Sequence, residues 1–500
     1  MKIGFVKPVV LASTVTVFLF SIVFWPGDSG AKAQSASELF SLKTTPRAFP
    51  GEEKNSPASV MESDINLNTD AFRSGEQKTL VFPLFDGRMH RAVQRKSEGY
   101  ESRRDGFTWR GIIPDEEFRG DVVLTSYKGV LNGLIHTRGA AYEIIAIGDR
   151  QILIQLDHSQ YPECGGEIKP PVSESKEIPE NLGVLEDSGD RIDVLVVYTL
   201  AVKNAVGGDA QANALAQAAI DATNTAYINS RVRQRVRLVH TEETALTEAN
   251  SLGNLRADAA TQALRNTHSA DMVAMLTNSL GGCGVAYVMS NVSTGFAPSA
   301  YSVTLRTCAV GNLTFAHELG HNMGSTHDPA NGGSSAYPYS FGHYVSGNYR
   351  TVMSYSNQCT GGCTRRPQFS NPDVEFQGAA TGLRGTRNNA RSLEGTADTV
   401  ANFRSSGTAI KLDNYSEDAA LPRLILRTLN WSSNNVAGNV RIELSRDEGT
   451  TWSTLVNNTP NDGSEIISIG GRASHRARIR VSSVNDGMIR DSSAKNIAIR

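Results

Sequence analysis

Three rhythms of apolar and polar positions divide the 500-residue chain. Between Lys78 and Asp157, short apolar runs recur at residues 80–85, 121–126, 133–137, 141–147 and 151–156, separated by turn residues, and this spacing predicts a small β-rich domain. The rhythm changes at residue 192. Ile192-Asp-Val-Leu-Val-Val-Tyr-Thr199 is a β-branched run suited to a buried strand, and the Ala-rich stretch 209–230 favours a long helix. Strand and helix patterns alternate through 236–240, 252–266 and 271–276, which predicts an α/β layer architecture. After Phe403 only short strand patterns remain, at 424–429, 439–445, 465–469 and 477–482, as in a separate β-sandwich of about 90 residues.

Two stretches lack a core pattern. Residues 34 to 70 are rich in Ser, Glu, Lys and Pro and read as a poorly ordered lead-in. Residues 163–190, with Gly165-Gly166, Pro170-Pro171, Pro179 and many acids, read as an exposed linker open to proteolysis. At the amino end, Lys2 and Lys7 precede an apolar run from Val9 to Trp25, followed by Ala31-Lys32-Ala33. This is the pattern of a secretory signal peptide over residues 1–33 with an A-x-A cleavage site; an uncleaved membrane anchor is the alternative.

Composition narrows the class. A hydrophobic share of 39% is that of a globular chain, and 49 Lys and Arg against 51 Asp and Glu leave a net charge of −2. No field follows that would drive binding to nucleic acid or to an anionic membrane. Five cysteines are too few for a disulfide-dense scaffold, and their odd number leaves at least one outside any intramolecular pairing.

The chemistry is concentrated in His317-Glu318-Leu319-Gly320-His321-Asn322-Met323-Gly324-Ser325-Thr326-His327, an HExxHxxGxxH pattern. Chance would produce it in roughly one chain of this length in 50,000. Four residues apart on a helix, His317 and His321 lie about 40° apart around the axis and about 6 Å along it, so both imidazoles reach one ion. Glu318 is turned away from that pair but can touch a water beside the ion, as a general base must. Gly324 can take the positive φ that ends the helix, letting His327 return as a third ligand. Three neutral nitrogens leave a coordination position open, the mark of one catalytic zinc ion. The other histidines, His90, His136, His158, His240, His268, His343 and His475, lack such spacing and read as structural or surface groups.

This motif resembles that of the metzincin zinc endopeptidases. Asp328 after the third His is similar to the reprolysin (adamalysin-like) branch, and Thr351-Val352-Met353-Ser354-Tyr355 looks like the Met-turn, with Met353 beneath the metal site. Gly284-Val-Ala-Tyr-Val288 resembles the edge strand that aligns substrate backbone, and Pro367-Gln-Phe-Ser-Asn-Pro372 the loop bordering the S1′ pocket. Tyr355 stands where reprolysins carry Pro, as in astacins and serralysins. There the resemblance implies a fifth ligand or transition-state stabiliser; a buried, hydrogen-bonded aromatic is the other reading. Among bacterial relatives the resemblance is to peptidyl-Asp metalloendopeptidases, which implies acidic P1′ residues. Arg350, Arg365 and Arg366 are then candidates for the S1′ wall, pairing with an incoming carboxylate, or else solvated surface charges.

Cys164, in Tyr161-Pro-Glu-Cys-Gly-Gly-Glu167, resembles the cysteine switch of metzincin pro-domains, where a thiolate fills the open zinc position. A structural or intermolecular disulfide is the alternative. The remaining four then pair, with Cys283–Cys308 and Cys359–Cys363 the sequence-local choice among three connectivities. With acidic specificity, Asp187 or Asp190 would be self-cleavage points. Ser445-Arg-Asp447-Glu-Gly449-Thr-Thr451-Trp452 resembles the Asp-box, a structural hairpin with Trp452 supplying core, or else a carbohydrate-recognition element.

The resemblance implies a multidomain chain: signal peptide (1–33), β-rich pro-domain with linker (34–185), α/β metzincin catalytic domain of twisted sheet plus active-site helix (186–405) and C-terminal β-sandwich (410–500). The implied function is a secreted, monomeric zinc endopeptidase acting on proteins or peptides, made as a latent precursor, without nucleic-acid or stable membrane association. No motif supports a calcium ion. The rival readings are a noncatalytic zinc-containing adhesion or binding protein and an envelope-anchored structural protein.

Overall fold

The computed structural model describes residues 1, 36–71, 77–114, 120–171, 185–250, 252–415 and 420–500. The expected signal peptide beyond Met1 and residues 172–184 of the expected linker lie outside them.

The runs between residues 78 and 157 supply eight strands of a sheet that has eleven among the described residues. Its centre is a succession of antiparallel neighbours: Thr79–Pro83, Met89–Gln94, Gly106–Ile113, Gly120–Tyr127, Val130–His136, Ala141–Ile147 and Arg150–Leu156. The turn from Tyr127 to Val130 needs positive φ at both central residues, supplied by Lys128 at 49° and Gly129 at 81°, and this matches the twist of the flanking strands. Phe40, Phe82, Trp109, Leu124, Ile135 and Ile144 fill the core on one face.

Residues 36–70 of the expected lead-in are not disordered. Ser59–Leu67 is a nine-residue strand paired with Arg150–Leu156, and Phe40–Leu42 pairs beside it. The strand escapes a hydrophobic reading because it buries polar groups: Ser59, Glu62 and Ser63 are 2% exposed, with Asn55 bonded to the Glu62 carboxylate and Ser63 to the Thr44 carbonyl.

A second sheet runs Arg235–Thr244, Arg191–Thr199, Met272–Thr277, Tyr301–Leu305, Gly284–Tyr287 and Glu167–Ile168. Neighbours are parallel except where Gly284–Tyr287 opposes Tyr301–Leu305. The helix Asp209–Asn229 is buried on nearly every side, which its many Ala residues permit, because it lies between this sheet and the first one. Asn224 clips it to the second sheet, with its side chain bonded to both Val236 N and O at 2.8 Å.

On the opposite face, Asp221 is fully buried and ties the helix to the first sheet. Its carboxylate accepts from Arg103 at 2.6 Å, Thr108 at 2.6 Å and Thr125 at 2.7 Å, with Arg110 at 3.5 Å. Further ties are Arg235 to Glu98 at 2.7 Å, His136 to the Arg365 carbonyl at 3.0 Å and His158 to the Gly311 carbonyl at 3.0 Å.

Glu143 adds a proton to this interface. It is 4% exposed, and burial, opposed by the Gly311 backbone hydrogen bond and the Arg306 charge, pushes its carboxyl up from 4.5 to about 8; the Tyr161 hydroxyl also faces it. The folded chain therefore holds one proton more than the unfolded chain between these values, and its stability falls as pH rises from about 4.5 through 8. Glu143→Gln should remove that slope, so that melting temperatures of variant and parent diverge by at least about 2–4 °C between pH 5 and pH 8. Parallel melting curves across that range would show that Glu143 carries no such proton.

Beyond residue 405, the three-stranded sheet Ala409–Leu412, Arg427–Asn434, Ser464–Ile467 and a six-stranded sheet share a core that includes Trp431, Ile442, Ile479 and Ile497. The expected strand 424–429 begins late: Leu424 has φ of 60°, and Leu424, Ile425 and Leu426 are exposed ahead of the strand. Asp447 closes its hairpin by accepting from Ser445 at 2.8 Å and from Thr451 N at 2.8 Å. Trp452 is not core; it is half-buried, bonded to the Gly449 carbonyl and stacked under Arg480 at 4.0 Å.

Residues 187–190 are buried rather than part of an exposed linker. Asp187 and Asp190 are 4% and 1% exposed: Asp187 bonds Ser406, and Asp190 pairs with Arg233 at 3.0 Å. Ser188 bonds Asp491 at 2.5 Å. Neither aspartate is presented as a cleavage point: both are buried, with Asp187 accepting from Ser406 and Asp190 from Arg233 and Ser492.

Candidate active site

The helix Thr314–Asn322 lies beneath Gly284–Tyr287, the edge strand of the second sheet once Glu167–Ile168 is set aside, fixed there by Asn322, whose amide donates to the Tyr287 carbonyl at 2.8 Å and the Tyr301 carbonyl at 3.1 Å. It ends at Gly324, with φ of 80° and no room for a side chain: a Cβ would lie 2.4 Å from Ala336 Cβ. Ser325 N closes back on the Gly320 carbonyl at 2.9 Å, and the chain reverses to bring His327 opposite the helix.

The three histidines converge. Nε2 of His321 is 3.2 Å from that of His317 and 3.1 Å from that of His327, and the third separation is 3.2 Å. Each Nδ1 faces a carbonyl, His317 that of Val352 at 2.9 Å, His321 that of Ser325 at 2.9 Å and His327 that of Asn331 at 3.2 Å. Those carbonyls keep the proton on Nδ1, so three Nε2 lone pairs point at one another. Burial, then the neighbouring imidazoles, hold His317 and His321 well below the usual histidine range; burial takes His327 down to about 4. Three lone pairs at this spacing repel unless a cation lies between them. A tetrahedral zinc at about 2.0–2.1 Å from each nitrogen sets them roughly 3.3–3.4 Å apart, so the donor set fits.

Met353 lies under the helix because Gly320 leaves space; a Cβ there would be 2.7 Å from its sulfur. Asp328 ties the His327 loop to this turn, accepting from Tyr355 N at 3.1 Å and Ser354 Oγ at 3.3 Å.

Glu318 is fully buried, and neither carboxylate oxygen has a protein partner among the described residues. Burial pushes its carboxyl well above the usual range, with Arg365 opposing. Gly284 makes room for it: a Cβ on the edge strand would fall 2.4 Å from Glu318 Oε1. The sequence shows Gly284 only as the start of a strand pattern, since nothing local reveals what stands opposite it.

Residues 161–168 lie in the cleft rather than in a solvated linker. Glu167–Ile168 pairs in parallel with Ala286 and Tyr287, Gly165 N donates to the Gly284 carbonyl at 2.6 Å, and the Glu163 carbonyl accepts from Cys283 N at 3.0 Å. Cys164 Sγ is 3.3 Å from His327 Nε2 and 2.7 Å from the Tyr355 hydroxyl; one donor atom from each of Cys164, His317, His321 and His327 lies within 4.8 Å of the others. Burial, then the Glu318 charge, pushes the thiol up. Glu163 and Glu167, both unnoticed in the sequence, accept from Ser356 N at 2.7 Å and Gly333 N at 3.0 Å. Cys283 is bonded to Cys308 and Cys359 to Cys363, leaving Cys164 free.

The three arginines are not surface charges; Arg350, Arg365 and Arg366 are 1%, 2% and 3% exposed. Arg350 and Arg365 converge on the Ser354 carbonyl, at 2.7 and 3.2 Å. Arg366 does not join them. It turns toward the first sheet, donating to the Thr137 carbonyl at 3.0 Å and stacking on Phe376 at 4.4 Å.

The family Reprolysin_5, metallo-peptidase family M12, matches residues 188–370. A peptidyl-Asp metalloendopeptidase of Stenotrophomonas maltophilia (strain R551-3) is 29% identical over 422 residues, covering 76% of this chain and 96% of that protein. One of Xanthomonas campestris pv. campestris is 28% identical over 400 residues, covering 73% and 91%. One of Pseudomonas fragi is 34% identical over 110 residues, covering 21% of this chain and 69% of that protein.

Proposed function

The chain belongs to metallopeptidase family M12, and from that premise we propose that it is a secreted zinc endopeptidase, made as a latent precursor and cleaving before acidic residues. The observation that carries this reading is the set of three convergent Nε2 lone pairs, beside a buried carboxylate without a protein partner. His317, His321 and His327 would hold the zinc, which when bound polarises the scissile carbonyl and acidifies water.

The protein's own groups do the rest. Glu318 takes a proton from the attacking water and returns it to the leaving nitrogen. The edge strand Gly284–Tyr287 offers its backbone groups to the substrate, and the Tyr355 hydroxyl, once Cys164 departs, is free to hold the carbonyl oxygen. A noncatalytic binding protein would have no use for a glycine that clears space for this carboxylate.

Latency is supported by the cleft's occupant: residues 161–168 hold the edge strand's hydrogen bonds and bring Cys164 Sγ within 4.8 Å of the three histidine nitrogens, where it would be within reach of the zinc. Acidic preference is supported by the buried Arg350 and Arg365 and by relatives named for Asp. Secretion rests on the Val9 to Ala33 pattern.

Enzyme matured from the full chain should cleave a peptide library, lose that activity to a chelator and regain it with zinc, with Asp enriched at P1′. Absence of chelator-sensitive cleavage from processed, zinc-loaded protein would end the reading; a P1′ profile without acids would remove the specificity alone.

A further inference from the structure

The geometry points to Glu163 as a second inhibitory element beside Cys164: its carboxylate occupies, in the precursor, the pocket that selects acidic substrate side chains, formed by Ser356 with Arg350 and Arg365 behind it. This rests on the preceding reading of a latent endopeptidase with acidic preference, and it names the residues that read the acid.

Three observations carry it. Cys164 Sγ lies within 4.8 Å of the three histidine nitrogens that would hold the zinc, so the side chain one residue along the same backbone flanks the place of the scissile bond. Backbone bonds on either side of the thiol hold this backbone to the edge strand, from Cys283 N to the Glu163 carbonyl and from Gly165 N to the Gly284 carbonyl. Second, the Glu163 carboxylate is gripped: Ser356 donates both its N–H, at 2.7 Å, and its hydroxyl to the same oxygen. An N–H and O–H pair aimed at one oxygen is a carboxylate receptor.

Third, positive charge is stored behind the receptor. The Arg350 and Arg365 guanidiniums meet at the Ser354 carbonyl, two residues from Ser356, and the Nε of each is buried without a partner among the described residues. Both feel the Glu163 charge; burial, then Arg365, brings Arg350 down to about 9, with Glu163 and Asp328 opposing. Neither arginine forms an ion pair with Glu163, and Asp328 also faces Arg350, so the two cations act on the receptor at a distance; removing Glu163 weakens their counter-charge, and a substrate Asp or Glu restores it. The segment 354–356 thus reads both parts of the inhibitor, with the Tyr355 hydroxyl on Cys164 and Ser356 on Glu163.

The test compares full-chain precursors carrying Glu163→Gln, Glu163→Asp or Cys164→Ser for the rate at which activity appears. It also uses a free peptide of residues 161–168 as inhibitor of enzyme matured from the parent chain, an arm that does not depend on any variant's folding. We expect Glu163→Gln to speed activation at least tenfold, with Glu163→Asp close to the parent, and the Gln peptide to inhibit at least tenfold more weakly than the Glu peptide. In matured enzyme, Ser356→Ala should lower the preference for Asp over Asn at P1′ and the potency of the Glu peptide by similar factors. If Cys164→Ser activates early while Glu163→Gln matches the parent in both arms, the inference is wrong and the latency reading stands. If Gln weakens the peptide but Ser356→Ala leaves the P1′ preference intact, Glu163 does not share the substrate's pocket. A Cys164→Ser precursor as latent as the parent would remove the latency reading and this inference with it.

Discussion

Glu318→Gln, matured by an added protease, is expected to hydrolyse its best peptide about 10³-fold more slowly in kcat/KM, with little change in KM. A positioned proton-transfer group contributes about 10²–10⁴-fold, and three decades correspond to about 4 kcal/mol of transition-state stabilisation. Gln keeps the shape that Gly284 accommodates but can neither take nor return a proton. Because the Glu318 oxygens have no protein partner to lose, the melting temperature should hold or rise, separating chemistry from folding. The variant precursor should also accumulate uncut if it processes itself. Steady-state kinetics with calorimetry on the same preparation decide the matter: activity within tenfold of the parent would exclude Glu318 as the base.

The second large effect concerns latency. Cys164→Ser should give an intact precursor at least tenfold more active than the parent, or one that matures at least tenfold faster. A thiolate is a strong soft ligand for zinc, whereas a serine hydroxyl is neither deprotonated nor soft at neutral pH. The substitution leaves the backbone of residues 163–168 free to keep its bonds to Cys283, Gly284, Ala286 and Tyr287, so some inhibition should persist. That residue is informative: latency reduced but not abolished divides the inhibition between ligand and backbone. An intact precursor with parental activity and parental maturation rate would show that the thiol does not guard the site.

The site was legible where its logic is local. His317, Glu318, His321, Gly324 and His327 lie within eleven residues, and helical geometry turns that spacing into convergence without reference to anything else. Strands such as Ala141–Ile147 were legible because one face is apolar. What stayed hidden depends on distant partners. Ser59–Leu67 buries Glu62 against Asn55, so its pattern reads as polar. Asp187 looked exposed in an acidic stretch, yet Ser406, more than two hundred residues on, consumes its carboxylate. Residues 161–168 have no periodicity because they dock as a single extended strip into a cleft built elsewhere, and Glu163 acquires meaning only once Ser356 and two arginines have been folded around it. Even Gly284 is informative only beside Glu318.

The ties between Asp221 and the first sheet bear on what a single cut in the chain can accomplish. Severing it between residues 171 and 185 breaks a tether but none of the bonds to Arg103, Thr108 or Thr125, nor those between Glu98 and Arg235. Before the cut, on the proposed latency, the strip 161–168 belongs to the same molecule as its cleft, at an effective concentration that dilution does not lower. Afterwards the two pieces are separate solutes governed by an ordinary dissociation constant. On the proposed latency, the nicked protein should then stay silent where it is concentrated and wake as it is diluted, so that dilution, rather than the cut itself, sets the moment of activity.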